Sequence, residues 1–305
     1  MKQIGLLGVG SHCRNEHLPA LRHLKETRGE DFNLRAVCDL DRNAAEQVAA
    51  DLGFEQVYDN LDRMLAEAGL DGLIAVTPTS LTCSLTCSIL EAGIPVLMEK
   101  PLGASLEEAE ELVACATRTQ TPVMVGMNRR HDPVMKQVAA WIQEHRPSYA
   151  RAVIHRQFRK EQGFIEDAAL HLVDELCALL GPGTLDQVIQ VSPGLAESGL
   201  ATLSFPHSTA LVEMLPACGG WEESYLFTGE GFLIHAVPQK EALLRIHKGG
   251  KTLFQAPEAA AGRWTTGETE AFFDALLDRA PWTPSPAEVL DSMRLTHAIS
   301  QEIVL

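Results

Sequence analysis

Over its first 125 residues the chain alternates short apolar runs of strand composition with helix-length amphipathic stretches, and a parallel sheet covered by helices accommodates that rhythm. The strand-like runs are Gln3 to Leu7, Asn33 to Cys38, Gln56 to Tyr58, Gly72 to Val76, Pro95 to Met98 and Val123 to Val125. Between them, helical patterns cover Leu18 to Thr27, Arg42 to Leu52, Asn60 to Ala68, Ser80 to Ala92 and Leu106 to Thr119. Gly53, Gly69, Gly93 and Pro122 stand just beyond four of these, as helix ends require. Residues 1–125 therefore read as one doubly wound domain.

A chain of 305 residues has room for a second domain. After Gly126 and a helix around Glu166 to Leu180, strand-like runs follow one another without crossover helices, which implies an antiparallel sheet. They are Ala150 to Arg156, Gln187 to Val191, Leu200 to Phe205, Ala210 to Leu215, Ser224 to Thr228, Phe232 to Ala236, Ala242 to Ile246 and Thr252 to Phe254. Helices close the chain at Glu268 to Leu277 and Ala287 to Ile303, the latter opened by a capping box of Ser285, Pro286 and Glu288. Residues 126–305 are read as an α/β domain, and the pattern leaves open which domain the last helix joins.

Charge narrows the partners. Lys plus Arg total 25 against 41 Asp plus Glu, a balance of −16, whereas a phosphate-backbone binder needs the opposite field. Nucleic acid is excluded as an expected partner. The opening MKQIGLLGVG is too short in its apolar part for a secretion signal, and no stretch approaches the roughly 18 apolar residues of a membrane span. The 7 cysteines are odd in number and scattered, so reduced thiols and a cytoplasmic location are expected. Cys83 and Cys87 share a helix face without further ligands nearby, and no metal is expected there.

Gly8 and Gly10 stand where the first strand ends and a helix should begin. There Gly8 permits a tight turn and Gly10 lets the backbone approach a pyrophosphate at the helix N-terminus. The third position of this fingerprint is Cys13, a small thiol where Gly or Ala is usual. Asp39, at the end of the second strand, is placed to accept the adenosine ribose hydroxyls and to repel a 2′-phosphate. NAD is accordingly expected over NADP, with Arg42 as a partial counter-charge. A Gly turn and a strand-end aspartate of no function would look similar.

Further motifs carry a resemblance. Thr77 and Pro78 follow the fourth strand, Glu99-Lys100-Pro101 follows the fifth, and Gly126-Met127-Asn128-Arg129-Arg130-His131-Asp132-Pro133 and Asp167-x-x-x-His171-x-x-Asp174 come later. With Gly8-Val9-Gly10 and His17-Leu18-Pro19, they make the chain similar to the Gfo/Idh/MocA oxidoreductases, and its MviM-type members above all. The resemblance implies a Rossmann domain followed by a domain with a large, open, mostly antiparallel sheet that forms homodimers or homotetramers. It implies cofactor contacts from Gly8, Gly10, Ser11, His12, Cys13, Asp39, Arg42, Thr77, Pro78, Glu99 and Lys100. It also carries over a catalytic Lys100, Asp167 and His171. Thr82 and Ala169 depart from the family pattern, which often has His and Gly there.

The chemistry suits those residue types. Oxidising a secondary alcohol sends hydride to a nicotinamide and the hydroxyl proton to a base, and an imidazole titrates in the useful range. Lys100, just beyond a sheet strand, should project into the crevice where such folds bind ligands and stabilise alkoxide charge. Asp167 and His171, four apart on a helix, would share a face, with Asp174 a turn further. Asn128, Arg130, Arg156 and Asp174 are the candidate substrate contacts, and Arg159 could join Arg156 in lining a pocket. The expected activity is an NAD-dependent oxidoreductase of a sugar, cyclitol or related polyhydroxy compound. A nicotinamide-binding sensor without turnover and a redox-assisted glycosidase remain as alternatives. Plainer readings exist for the same positions: a solvated strand-end Lys100, an exposed polar helix stripe for Asp167, His171 and Asp174, and a capped surface turn for Asn128 to His131.

Overall fold

The computed structural model describes residues 1–157, 163–191, 197–239, 242–255 and 264–303. The chain forms two compact units, Met1–Met127 with Thr265–Leu290, and Asn128–Trp264 with Asp291–Leu305. The sequence reading divided the chain once, after residue 125; residues 265–290 here belong with the first unit.

Six strands build the first unit's sheet: β1 (Lys2–Leu7), β2 (Phe32–Cys38), β3 (Gln56–Tyr58), β4 (Gly72–Ala75), β5 (Val96–Glu99) and β6 (Val123–Gly126). All pair in parallel in the order β3-β2-β1-β4-β5-β6, so the order reverses between β1 and β4. The crevice beyond the carboxyl ends at such a reversal is where doubly wound sheets take their ligands. The covering helices are α1 (Leu18–Arg28), α2 (Arg42–Leu52), α3 (Leu61–Glu67), α4 (Thr79–Glu91) and α5 (Leu106–Thr119). Local chemistry sets their ends. The side chains of Asp41, Asn60 and Ser105 accept backbone N–H bonds in the first turns of α2, α3 and α5, and Gly53 closes α2 in the left-handed region. A later helix, α8 (Trp264–Leu276), packs Phe272, Phe273 and Leu276 into the same core as Ile4, Leu6, Ile74 and Leu97.

In the second unit, eight strands form one sheet: β7 (Tyr149–His155), β8 (Thr184–Gln190), β9 (Gly199–Ser204), β10 (Thr209–Leu215), β11 (Glu222–Gly229), β12 (Phe232–Val237), β13 (Leu243–Lys248) and β14 (Lys251–Gln255). The order is β14-β13-β12-β11-β7-β10-β9-β8, with β7 and β10 parallel and every other pair antiparallel. The mostly antiparallel sheet expected from the sequence is present. Buried positions alternate with half-buried ones along β9, β10 and β12, so one face builds the core. Helices α6 (Pro133–Glu144) and α7 (Leu170–Leu180) supply Val134, Val138, Leu172, Val173 and Leu176 to that core. Leu295 and Ile299 of α9 (Pro286–Glu302) join them, and its Ser285 and Glu288 form the anticipated capping box.

α6 is an element absent from the sequence reading, although its signals are in the chain. Asp132 caps it, Pro133 takes its first position, and Val134, Met135, Val138 and Ile142 form its buried stripe. Two helices also begin irregularly: α1 continues from a π-helical turn over Cys13–His17, and α7 from another over Ile165–Ala169. No helix among the described residues is long and apolar enough to cross a membrane.

The two fingerprint glycines serve opposite physical needs. Gly8 has φ of 85°, and a Cβ there would lie 2.0 Å from the carbonyl oxygen of Val76, whereas a Cβ on Gly10 would meet nothing within 4 Å. Gly8→Ala should lower urea-unfolding stability by about 2 kcal/mol or more. Gly10→Ala should change it by less than about 1 kcal/mol while weakening NAD binding. Equal destabilisation by the two substitutions would contradict this division.

Candidate active site

The loop after β1 is tied to the neighbouring strand ends. Gly8 N–H donates to the Cys38 carbonyl at 2.8 Å, and Asp39 Oδ2 accepts from Val9 N–H at 2.7 Å while Oδ1 accepts from Asp41 N–H at 2.8 Å. Asp39 therefore fastens the glycine turn to the end of β2. A carboxylate has about four lone-pair positions, so two backbone bonds leave capacity for ribose hydroxyls. Arg42 pairs with Glu46 at 3.0 Å and lies 3.8 Å from Asp59, so acidic neighbours already share its charge. Gly10, Ser11 and His12 are exposed at the turn. Cys13 is fully buried and its thiol is pushed up to about 12 by desolvation, which makes it a packing residue with an unreactive sulfur. These features fit a dinucleotide: an open backbone cradle at the start of a helix and a carboxylate on the adjacent strand.

Thr77 and Pro78 form the turn into α4. The buried Thr82 hydroxyl donates to the Pro78 carbonyl at 3.2 Å and lies 3.3 Å from Thr77 Oγ1, so it ties that turn together. Glu99 ends β5 and Lys100 follows half-buried, through a cis peptide bond to Pro101. Glu99 is buried, and its Oε1 meets His17 Nε2 at 2.7 Å and His12 Nε2 at 3.2 Å. Burial alone would raise the Glu99 pKa, but hydrogen bonds from His12 and His17 outweigh it and hold the carboxyl well below its usual range. The same hydrogen bond raises the pKa of His12, against desolvation and the nearby Lys100 charge.

In the second unit Asp167 lies half-buried within the π-helical turn and His171 is buried in the first turn of α7. The π turn alters the α-helical spacing that the sequence implied for this pair. Asp174 is 1% exposed, so an exposed polar stripe does not describe this helix. Its carboxylate accepts both Nε and Nη2 of Arg130, at 2.8 and 2.7 Å, and the Ser292 hydroxyl at 3.0 Å. Arg130 and Asp174 are thus bonded to each other in bidentate fashion.

The rest of the cationic run is similarly engaged. Arg129 donates to both oxygens of Glu223, at 2.8 and 3.0 Å, and to Asn128 Oδ1 at 2.7 Å. Arg156 donates to Glu223 Oε2 at 2.9 Å and covers the Trp221 ring. Gln239 Nε2 adds a bond to Glu223, and Gln239 N–H donates to Asp132. Desolvation would raise the pKa of the fully buried Glu223, yet the two guanidinium groups bring it below its ordinary value. Arg159 lies outside the described residues.

Four groups of consequence escaped the sequence reading as individual sites: His17, Glu175, Glu223 and Tyr225. For Glu175 the signal is an acidic residue in a largely apolar helical segment, Leu170-His-Leu-Val-Asp-Glu-Leu, and His17 stands in the His17-Leu18-Pro19 motif. Glu175 is buried, its Oε2 has no hydrogen-bond partner among the described residues, and desolvation pushes its pKa up to about 8. Tyr225 OH is likewise buried without a hydrogen-bond partner among the described residues, and burial, followed by the Glu223 charge, raises its pKa.

Fold and loop chemistry together define a dinucleotide-binding α/β protein. Residues 2–127 match the GFO_IDH_MocA family model, described as an oxidoreductase family with an NAD-binding Rossmann fold. That part of the chain is similar to the NAD-binding Rossmann domain of this family. D-apiose dehydrogenase of Paraburkholderia graminis is 25% identical over 225 residues, covering 69% of this chain and 58% of that protein. The NAD(+)-dependent scyllo-inositol 2-dehydrogenase of Bacillus subtilis is 32% identical over 130 residues, covering 43% and 37%. The alignments thus span less than two thirds of these relatives' lengths. A solved levoglucosan dehydrogenase in complex with NADH shares the fold at a TM-score of 0.86, with 17% identity and coverage of 99% of this chain and 96% of that one.

Glu175 gives a pH signature. Between its unfolded pKa near 4.5 and its folded value of about 8, the native state holds a proton that the unfolded state has released, so its contribution to stability falls as pH rises through that window and levels off above it. Glu175→Gln keeps a neutral side chain at every pH. Denaturant titrations should show the variant gaining on the parent by up to several kcal/mol between pH 5 and 8. A difference that is flat with pH would mean the carboxyl is ionised in the native protein.

Proposed function

We propose that the chain is an NAD-dependent oxidoreductase that transfers hydride between the nicotinamide and a CH–OH group of a sugar, cyclitol or related polyhydroxy compound. The observation that carries this reading is the retention of Lys100 directly after β5, on a domain whose glycine turn and Asp39 suit NAD. The dehydrogenases of apiose and inositol among the relatives support the substrate class. When bound, the cofactor supplies the hydride acceptor or donor.

The remaining work falls to side chains. The Lys100 ammonium polarises the reacting oxygen and stabilises the charge that develops on it. His171 takes the hydroxyl proton, or returns it in the reverse direction, and Asp167 orients the imidazole. Arg130 and Asp174 support this region as a bonded pair, and Asn128 and Arg156 support it through their bonds to Arg129 and Glu223. This reading departs from a direct substrate contact by those four residues. The run Arg129 to Pro133 and the short second domain favour the MviM-type members. The open face of the eight-stranded sheet, with the exposed Ile189 and Leu253 on β8 and β14, suits a homodimer or homotetramer. Reduced thiols suit a cytoplasmic setting.

Lys100→Ala should leave NAD affinity within about threefold while lowering kcat on an accepted polyol by about a hundredfold or more. Steady-state kinetics paired with NAD titration checks this, and unchanged turnover would remove Lys100 from the chemistry. In thermal-shift experiments NAD should stabilise the chain more than NADP at equal concentration, because Asp39 opposes a 2′-phosphate and Arg42 is already shared with acidic neighbours. A larger shift with NADP would reverse the cofactor assignment.

A further inference from the structure

The side chains of His12, His17 and Glu99 converge within the first unit in a way that adenine dinucleotide binding does not require. Their ligand atoms all lie within 4.8 Å of one another, and both Nε2 atoms point at a single oxygen, Glu99 Oε1. We propose that this trio binds one divalent transition ion of the zinc type, at a site that shares His12 and Glu99 with the expected cofactor contacts.

Helix geometry supplies the first argument. His12 and His17 are five apart, and on a regular α-helix that separation leaves two side chains about 140° apart. The π-helical turn over Cys13–His17 widens the helix to an i→i+5 spacing, which brings the pair onto one side. Such turns are costly and concentrate where a helix must present particular groups. Here the groups presented are two imidazoles facing a buried carboxylate.

Electrostatics supplies the second. Thr269 Oγ1 lies 3.5 Å from His17 Nδ1. His17 Nε2 faces the Glu99 carboxylate oxygen at 2.7 Å, a contact held by an Nε2 proton in the metal-free chain; with Nδ1–H turned to the Thr269 hydroxyl, an ion takes the place of that proton between lone pair and carboxylate. Glu268, with an oxygen 3.8 Å from His17 Nε2, adds negative charge on the same side. A tetrahedral ion with bonds of about 2.0–2.1 Å sets its ligands roughly 3.3 Å apart. The His12 to Glu99 distance of 3.2 Å already matches, and His17 has to retreat by roughly half an ångström. Two imidazoles and a carboxylate are a ligand set that zinc-type ions favour, and three protein ligands leave a fourth position for water or a ligand oxygen. His12 is half-exposed and gives the ion a route from solvent.

The test is calorimetric titration of the full chain with Zn²⁺ after treatment with a chelator, in parallel with His12→Ala and Glu99→Gln. One ion per chain is expected, with affinity lowered on the order of a hundredfold by His12→Ala. Measured against its own metal-free melting temperature, the His12→Ala variant should gain less from added Zn²⁺ than the parent does. The seven thiols are the competing ligands, so Zn²⁺ binding that persists undiminished in His12→Ala and Glu99→Gln would belong to them and overturn the proposal. Absence of saturable binding to the parent would overturn it as well.

Discussion

The first unit depends on a close approach of two backbones. Where β1 ends and the strand order reverses, the chain turns at Gly8 beside the Val76 carbonyl, in a space that no Cβ can enter. That contact lets the loop fold back beneath the start of α1, and Asp39 holds it there through Val9 N–H. The cofactor cradle is thus a by-product of strand order and one missing side chain. The Asp39 carboxylate that holds the turn keeps unused acceptor capacity beside it.

The second unit rests on a different constraint, the cost of burying charge. Arg129, Arg130, Asp174 and Glu223 are largely withdrawn from water, and each is matched by a bidentate partner. A buried pair of this kind contributes little net stability, yet removing one partner costs about 3–5 kcal/mol because the other is left uncompensated. The pairs join Asn128 to His131, α7, β11 and α9 through specific angles rather than through apolar contact alone. Asp132 extends the arrangement by capping α6 and accepting Gln239 N–H. Glu175 stands in contrast, a carboxyl buried with one oxygen unmatched and therefore protonated near neutrality.

Much of this was legible in the chain. Strand and helix patterns located the parallel sheet because apolar residues facing helices on both sides leave near-continuous hydrophobic runs, and the caps at Asp41, Asn60, Ser105 and Ser285 mark helix starts by local hydrogen bonding. The glycine turn and the strand ends that precede Asp39 and Lys100 were visible for the same reason, being set by neighbours along the sequence. The start of α6, Asp132-Pro133, adjoins the charged Asn128 to His131 run, and the same residue types serve a capped turn as well as a helix start. The π-helical turns carry no residue pattern that distinguishes them from ordinary helix.

Sequence by itself determined the alternation of strands and helices, the glycine turn with its acidic partner strand, and the antiparallel character of the second sheet. These follow from side-chain periodicity and backbone conformations that act over a few residues. Only tertiary structure decided that Arg130 meets Asp174, that His12 and His17 close on Glu99, that Glu175 loses its charge and that 265–290 rejoins the first unit. Those outcomes depend on distance and desolvation between residues as many as 252 positions apart, as His17 and Thr269 are. Neither distance nor dielectric environment is encoded in local composition.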